Sequence, residues 1–233
     1  MEHQNTEITF SEKSLEKEQK VELIAVPISG AAIEEAPPQD HRINGTHLIS
    51  QPVVHFQKIP LDLVDLMVKE IENEPVLEFS NAQTGTDSNP NSDIQIRNSK
   101  VNWWYEDHWV SSIISHYINI ANRSSWEYDL TFLNGLQVTN YDAGGHYVWH
   151  SDYGTSNDAR YTRKLSASLL VTDPSEYEGG ELEFVDYHNN MLRAPKEKGT
   201  LIVFDSRVPH RVTPVLRGRR TSIVAWMLGP KLR

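Results

Sequence analysis

Residues 132–152 read FLNGLQVTNYDAGGHYVWHSD, and this stretch decides the fold class. FLNGLQVTNY has the β-branched and aromatic character of a strand. Asp142, Gly144 and Gly145 then supply turn residues, and strand character resumes up to His150. The pattern continues downstream in KLSASLLVTD (164–173), GGELEFVDY (179–187), MLRAP (191–195), GTLIVFD (199–205), HRVTPVL (210–216) and RTSIVAWML (220–228). Gly, Pro, Asn and Asp punctuate these runs about every ten residues. Short, evenly spaced strands of this kind predict a sandwich or jelly roll rather than βαβ units.

The residues before 131 have a different character. QPVVHFQKI (51–59) alternates enough to form a strand. PLDLVDLMVKEIENEP (60–75) starts with proline and sets Val64, Met67, Val68 and Ile71 on one helical face, with Pro75 ending it. A second helix is expected over about 105–121, carrying Val110, Ile113, Ile114, Tyr117 and Ala121 at helical spacing. Trp103, Trp104 and Trp109, near its start, are expected to be packing residues. Residues 80–93, SNAQTGTDSNPNSD, hold almost nothing apolar and predict a loop. Residues 1–45 are rich in Glu, Lys, Gln and Ser and predict a flexible acidic tail. The expected organisation is that tail followed by one domain over 46–233: helical support over about 60–122, and a β core over about 131–230.

Chemistry concentrates at the end of the opening stretch. His150 and Asp152 are two apart, so in a strand both side chains face one way and can reach a single ion. The chain has no cysteine, so any metal must be held by His and carboxylates. Two His and one carboxylate on one face of an octahedron are the ligand set of non-haem Fe(II) oxygenases. A second His must come from further along. His188 lies in DYHNNM, which reads as a hairpin turn. His210 stands between the strand-like runs GTLIVFD and HRVTPVL, where a side chain can point into a barrel mouth, and is the preferred ligand.

Ten residues after His210, Arg220-Thr221-Ser222 opens an apolar strand that reaches Trp226. Arg220 and Ser222 share a strand face. A guanidinium binds a carboxylate through two parallel hydrogen bonds, and a hydroxyl adds a third. An Arg pointing into an apolar barrel is costly unless an anion meets it. Arg217 and Arg219 are expected to be exposed, and Gly179-Gly180 to form a turn.

Tyr141-x-x-Gly144-x-x-Tyr147-x-x-His150-x-Asp152, then LSASLLVTDPSEYEGGELEF, then VPHRVTPVLRGRRTSIVAW, resemble the prolyl 4-hydroxylase branch of the Fe(II)/2-oxoglutarate oxygenases, especially the PKHD-type hydroxylases. The resemblance covers residues 137–229, about two fifths of the chain. It implies a double-stranded β-helix core, Fe(II) on His150, Asp152 and His210, O₂, and 2-oxoglutarate as cosubstrate. It further implies that Arg220, Ser222 and Tyr141 hold the cosubstrate, that ascorbate serves as an auxiliary reductant, and that a substrate C–H bond is hydroxylated. By the same resemblance the first choice of substrate is a prolyl residue in a peptide or protein. The alternatives are an oxygenase of this fold acting on a small molecule or nucleic acid, and a non-catalytic metal-binding barrel. Residues 80–93 and 154–163 are candidate lids over the site.

Composition narrows the setting. Six Trp, nine Tyr and six Phe among 233 residues can fill a sizeable core. No apolar run approaches the ~20 residues of a membrane span, and the first residues lack the pattern of an export signal, so a soluble, cytoplasmic protein is expected. Net charge is −10, with nine Asp/Glu against four Lys/Arg in residues 1–45. From Arg193 onward the balance reverses, with ten Lys/Arg against two acids. That basic end can attract nucleic acid or an anionic cosubstrate, or simply form a solvated strand face. Overall acidity argues against nucleic acid, as does Trp226, which stands where repair-type nucleic-acid oxygenases carry a second Arg.

Overall fold

Leu165, Ala167 and Leu169 face one side of their strand and Ser166, Ser168 and Leu170 the other, yet all six are buried. A strand covered on both faces must lie between two packed layers, and this one does. The structure is a computed structural model that describes residues 54–73, 79–86, 89–91, 93–105, 107–154 and 160–231. In chain order the elements are β1 (Val54–Lys58), α1 (Leu61–Asn73), β2 (Ser80–Asn81), β3 (Thr84–Thr86), β4 (Asn89–Asn91), β5 (Arg97–Asn98) and β6 (Lys100–Trp104). Next come α2 (Trp109–Ser125), β7 (Phe132–Tyr141), β8 (His146–His150), β9 (Tyr161–Leu170), β10 (Tyr177–Gly179), β11 (Leu182–Val185) and β12 (Met191–Arg193). The last are β13 (Thr200–Asp205), β14 (His210–Val212), β15 (Val215–Gly218) and β16 (Arg220–Pro230).

A seven-stranded sheet runs β1-β13-β9-β16-β7-β6-β2, and a five-stranded sheet runs β12-β11-β14-β8-β5. Between them Ile202, Phe204, Leu170 and Tyr141 of the larger sheet pack against Leu182, Phe184 and Val212 of the smaller. Two facing antiparallel sheets with this strand order form the double-stranded β-helix expected from the sequence. The outer face of the larger sheet carries Leu136, Val138, Leu165, Ala167, Leu169, Ile223 and Ala225. On it rest Val64 and Met67 of α1 and Val110, Ile114, Ile118 and Ala121 of α2. Each fully buried Val, Leu, Ile or Met side chain of this layer contributes roughly 1.5–3 kcal/mol relative to exposure.

The helices therefore buttress the sheet as their apolar faces predict, but α2 is displaced. It spans Trp109–Ser125 rather than about 105–121, and residues 100–104 are a strand. His108 caps it: its backbone is extended, its ring accepts a hydrogen bond from the Val110 N–H, and it stacks 4.2 Å from Trp104. Trp104 is buried, whereas Trp103 and Trp109 remain 37% exposed, so only Trp104 is a core residue outright. The polar stretch 80–93 is not a plain loop but holds the short strands β2, β3 and β4. HRVTPVL is two strands, because the chain breaks at Thr213-Pro214 between β14 and β15. Residues 1–45, the expected tail, lie outside the described residues. Among the described residues no helix is long and apolar enough to cross a membrane.

Candidate metal centre and cosubstrate pocket

Neighbouring strands of the smaller sheet, β8 and β14, bring His150 and His210 together with Asp152, which lies just beyond β8, with one ligand atom from each within 4.8 Å of the others. Strand register does most of this. His210 on β14 is paired directly with His150 on β8, and on its other side with Phe184 on β11. Asp152 gets there differently from the expected alternation, because β8 ends at His150 and Asp152 lies beyond the strand. Its two carboxylate oxygens nonetheless sit 3.8 Å from His150 Nε2 and 3.6 Å from His210 Nε2. His188 stays far from this chemistry, exposed in the turn between β11 and β12, where Asp186 accepts from the His188 and Asn190 amides.

The tautomers are fixed by geometry. Nδ1 of His150 lies 2.8 Å from the Val148 carbonyl, and Nδ1 of His210 lies 2.9 Å from the Val208 carbonyl. A carbonyl only accepts, so each Nδ1 carries a proton, and each Nε2 is the ring nitrogen turned toward Asp152. Burial, reinforced by the neighbouring His210, lowers the His150 pKa to about 3. Burial alone would raise Asp152, but the His210 and His150 imidazoles and the Arg163 guanidinium outweigh it and hold the carboxyl below its usual range. Two imidazole Nε2 atoms and one carboxylate, gathered at a common point, suit a divalent transition ion. Phe204 meets the His210 ring edge-on at 4.6 Å and Tyr147 stacks on His150 at 3.4 Å, so both rings are held in place.

Deeper in the barrel Arg220 is one of the largest fully buried side chains. Its Nη1 donates to Ser222 Oγ at 3.1 Å, its guanidinium lies 5.5 Å from the Tyr141 ring on the paired strand, and its Nε has no partner. The buried Tyr177 hydroxyl sits beside the Arg220 guanidinium. Among the described residues no carboxylate pairs with Arg220. A sealed guanidinium with a free N–H next to two hydroxyl-bearing side chains is a socket for a carboxylate. Arg219, one residue away, is exposed and paired with Asp142 at 2.6 Å, and Arg217 is exposed beside Glu178. The alternation expected for this strand is therefore the one observed.

Several residues of the pocket carried no sequence signal. Gly180 is one: a Cβ there would lie 3.0 Å from Arg220 Cδ and 3.0 Å from Val215, so its bare Cα makes room for the buried guanidinium. It was expected only to turn the chain. Trp226 faces the metal end, with Arg163 stacked over it at 4.2 Å and Trp103 at 5.8 Å. Arg97 lies 4.7 Å over the ring of Tyr147 and donates to Gln137. Of the candidate lids, residues 155–159 lie outside the described residues, and 161–163 already belong to β9.

Two histidines and one carboxylate are the ligand set that non-haem Fe(II) oxygenases use, and here they converge in a double-stranded β-helix that also buries Arg220. Comparison with known proteins agrees. Residues 136–228 match the family model of the 2OG-Fe(II) oxygenase superfamily. A PKHD-type hydroxylase of Stutzerimonas stutzeri is 35% identical over 91 residues, 37% of this chain and 40% of that one; a PKHD-type hydroxylase of Sphingopyxis alaskensis is 34% identical over 92 residues, covering 39% and 42%. The match thus spans about two fifths of the length of these curated relatives. Among solved structures, a Pseudomonas putida prolyl-4-hydroxylase superposes with a TM-score of 0.61 at 22% identity, over 79% of this chain and 96% of that one. A Trichoplax adhaerens prolyl hydroxylase, solved with a hypoxia inducible factor peptide fragment, gives 0.61 at 21% identity, over 78% and 86%. These likenesses establish the fold. The resemblance read from residues 137–229 is confirmed over the segment that carried it.

Proposed function

We propose that this chain is an Fe(II)- and 2-oxoglutarate-dependent hydroxylase whose substrate is a prolyl residue in a peptide or protein. One observation carries the reading: three ligand atoms converge within 4.8 Å in the same barrel as a buried Arg220 that has no acid partner among the described residues. His150, Asp152 and His210 would hold the iron through both Nε2 atoms and one carboxylate oxygen. Bound iron supplies the O₂ activation that couples oxidative decarboxylation of 2-oxoglutarate to oxygen insertion into a C–H bond.

The protein's own part is placement. Arg220 takes the distal carboxylate of 2-oxoglutarate in a charge-assisted fork, with Ser222 Oγ on the same strand face and Tyr141 on the paired strand beside it. Phe204 and Phe184, both buried, pack against the His210 ring and shield it from water. The Nδ1–H bonds to Val148 and Val208 keep each imidazole from rotating its lone pair away. Ser222→Ala should weaken 2-oxoglutarate binding by about 1 kcal/mol, close to fivefold, as read by competition titration. The hydroxylase reading draws on the names of the relatives, and the prolyl assignment on the names of the structural neighbours.

The direct test is anaerobic addition of Fe(II) and 2-oxoglutarate. A weak visible charge-transfer band should appear, and it should be lost on addition of a chelator. A colourless protein that still binds both components separately would refute the shared site. Product is then sought by mass spectrometry as a +16 Da species that depends on 2-oxoglutarate.

We assign the catalytic unit to residues 46–233. A 46–233 chain should form succinate from 2-oxoglutarate within about twofold of the full chain and melt at a similar temperature. Loss of both in the shortened chain would make the N-terminal segment part of the catalytic fold.

A further inference from the structure

Arg220 is not the only buried cation without an acid. Arg97, on β5, is 9% exposed. Its Nε donates to Ser99 Oγ at 3.0 Å and its Nη2 to Gln137 Oε1 at 2.7 Å; its plane lies over the Tyr147 ring. Every one of these partners is neutral. Among the described residues no carboxylate pairs with Arg97, and its Nη1 makes no hydrogen bond yet is not sealed from solvent. Tyr147 in turn stacks on His150, so Arg97 sits one aromatic ring away from a candidate iron ligand. A second guanidinium, Arg163 on β9, lies over Trp226 on the same rim, again with no acid within ion-pair distance among the described residues.

A guanidinium held this far out of water by neutral groups alone is costly unless an anion completes it. The rigid hold by Ser99, Gln137 and the Tyr147 face fixes the fork in advance, which is how planar carboxylates are recognised. The anion cannot be the cosubstrate under the reading above, on which this inference rests. Arg220 is paired with Tyr141, and Gln137 stands four residues before Tyr141 on β7, roughly 13 Å along the strand. A five-carbon diacid with its distal carboxylate on Arg220 and its keto end at the metal has no carboxylate left for Arg97.

We propose that Arg97, held by Ser99 and Gln137, receives a carboxylate of the substrate beside the metal centre, with Arg163 adding positive field from β9. The carboxylate belongs either to an Asp or Glu flanking the target residue of a peptide or to a small free acid, and the two sources give the same chemistry at Arg97.

The test uses the full chain with Mn(II) in place of iron and N-oxalylglycine in place of 2-oxoglutarate, and measures binding by calorimetry. One probe set is short peptides in which an Asp is walked through the positions flanking a central proline, each paired with its Asn counterpart. The other is N-acetylproline paired with N-acetylprolinamide. At least one acid should bind about tenfold or more tighter than its amide, and the set in which it does so identifies the source. In Arg97→Gln that acid-to-amide ratio should fall to within about twofold, while Arg97→Lys, which keeps the charge and loses the fork, should retain part of it. A wild-type protein that shows no acid preference in either set overturns the proposal, as does a preference that survives Arg97→Gln. If Arg97→Gln weakens 2-oxoglutarate binding more than it weakens acid preference, Arg97 serves the cosubstrate and the proposal is wrong. Failure of the underlying functional reading is seen separately, as absence of the charge-transfer band before any probe is added.

Discussion

Replacing Asp152 by alanine is expected to abolish hydroxylation and to weaken divalent-metal binding by at least about 100-fold. Removing even an outer partner of a metal ligand costs 10–100-fold, and Asp152 is the only anionic member of the cluster. Its carboxylate bridges the space between His150 Nε2 and His210 Nε2, so its loss leaves two neutral imidazoles and no charge to offset the ion. Calorimetry with Mn(II) and mass spectrometry of product measure the two effects. His188→Ala is the matched control, since His188 is exposed on a turn, and it should leave both unchanged. Full hydroxylation by Asp152→Ala, or a metal found on His188, would remove the proposed centre.

The second large effect is expected at Arg220. Arg220→Ala should weaken 2-oxoglutarate by roughly 2–4 kcal/mol, some 30- to 1000-fold, because a carboxylate in that socket loses the guanidinium that pairs with it. Arg220→Lys should recover only part of this, since an ammonium cannot reproduce the two-pronged contact. Arg219→Ala should be almost silent: its ion pair with Asp142 is exposed, and such pairs are worth little. The contrast between adjacent arginines tests the strand register. A larger effect at Arg219 would mean that the inward and outward faces of β16 had been exchanged.

The parts of the site legible in the sequence were those tied to a local spacing. His150-x-Asp152 is legible as a pair although its second member lies off the strand, because a two-residue offset keeps the side chains close in either conformation. Arg220 and Ser222 follow from strand period, and His210 from its place between two apolar runs. Arg97 could not be found this way. It lies in the polar stretch IQIRNSK, and its burial comes from Gln137 forty positions away and from Tyr147 on another strand. Gly180 and Tyr177 belong to the Arg220 socket only through the folding of β10 and its neighbours against β16. The start of α2 was misjudged for a related reason. Its cap is a histidine stacked on a strand tryptophan, not one of the short polar residues that announce a helix. Local patterns reveal side chains that share an element; sockets assembled from several elements stay hidden until the elements are placed.

β16 pairs regularly with β7 from Arg220 to Ala225, and the pairing slips between Ala225 and Met227; against β9 it slips between Met227 and Leu228. The two irregularities flank Trp226 and Met227, so the strand has a stiff half and a compliant half. A residue inserted between Ser222 and Ala225 would meet two ladders that admit no slack, and would turn Arg220 away from the barrel relative to everything after it. The same insertion next to Met227 would only enlarge a joint that already carries an offset. Length variation in this strand should therefore be tolerated after Ala225 and forbidden before it. The aromatic rim over the metal end can be re-aimed across generations of related chains while the anion socket beneath it keeps its alignment.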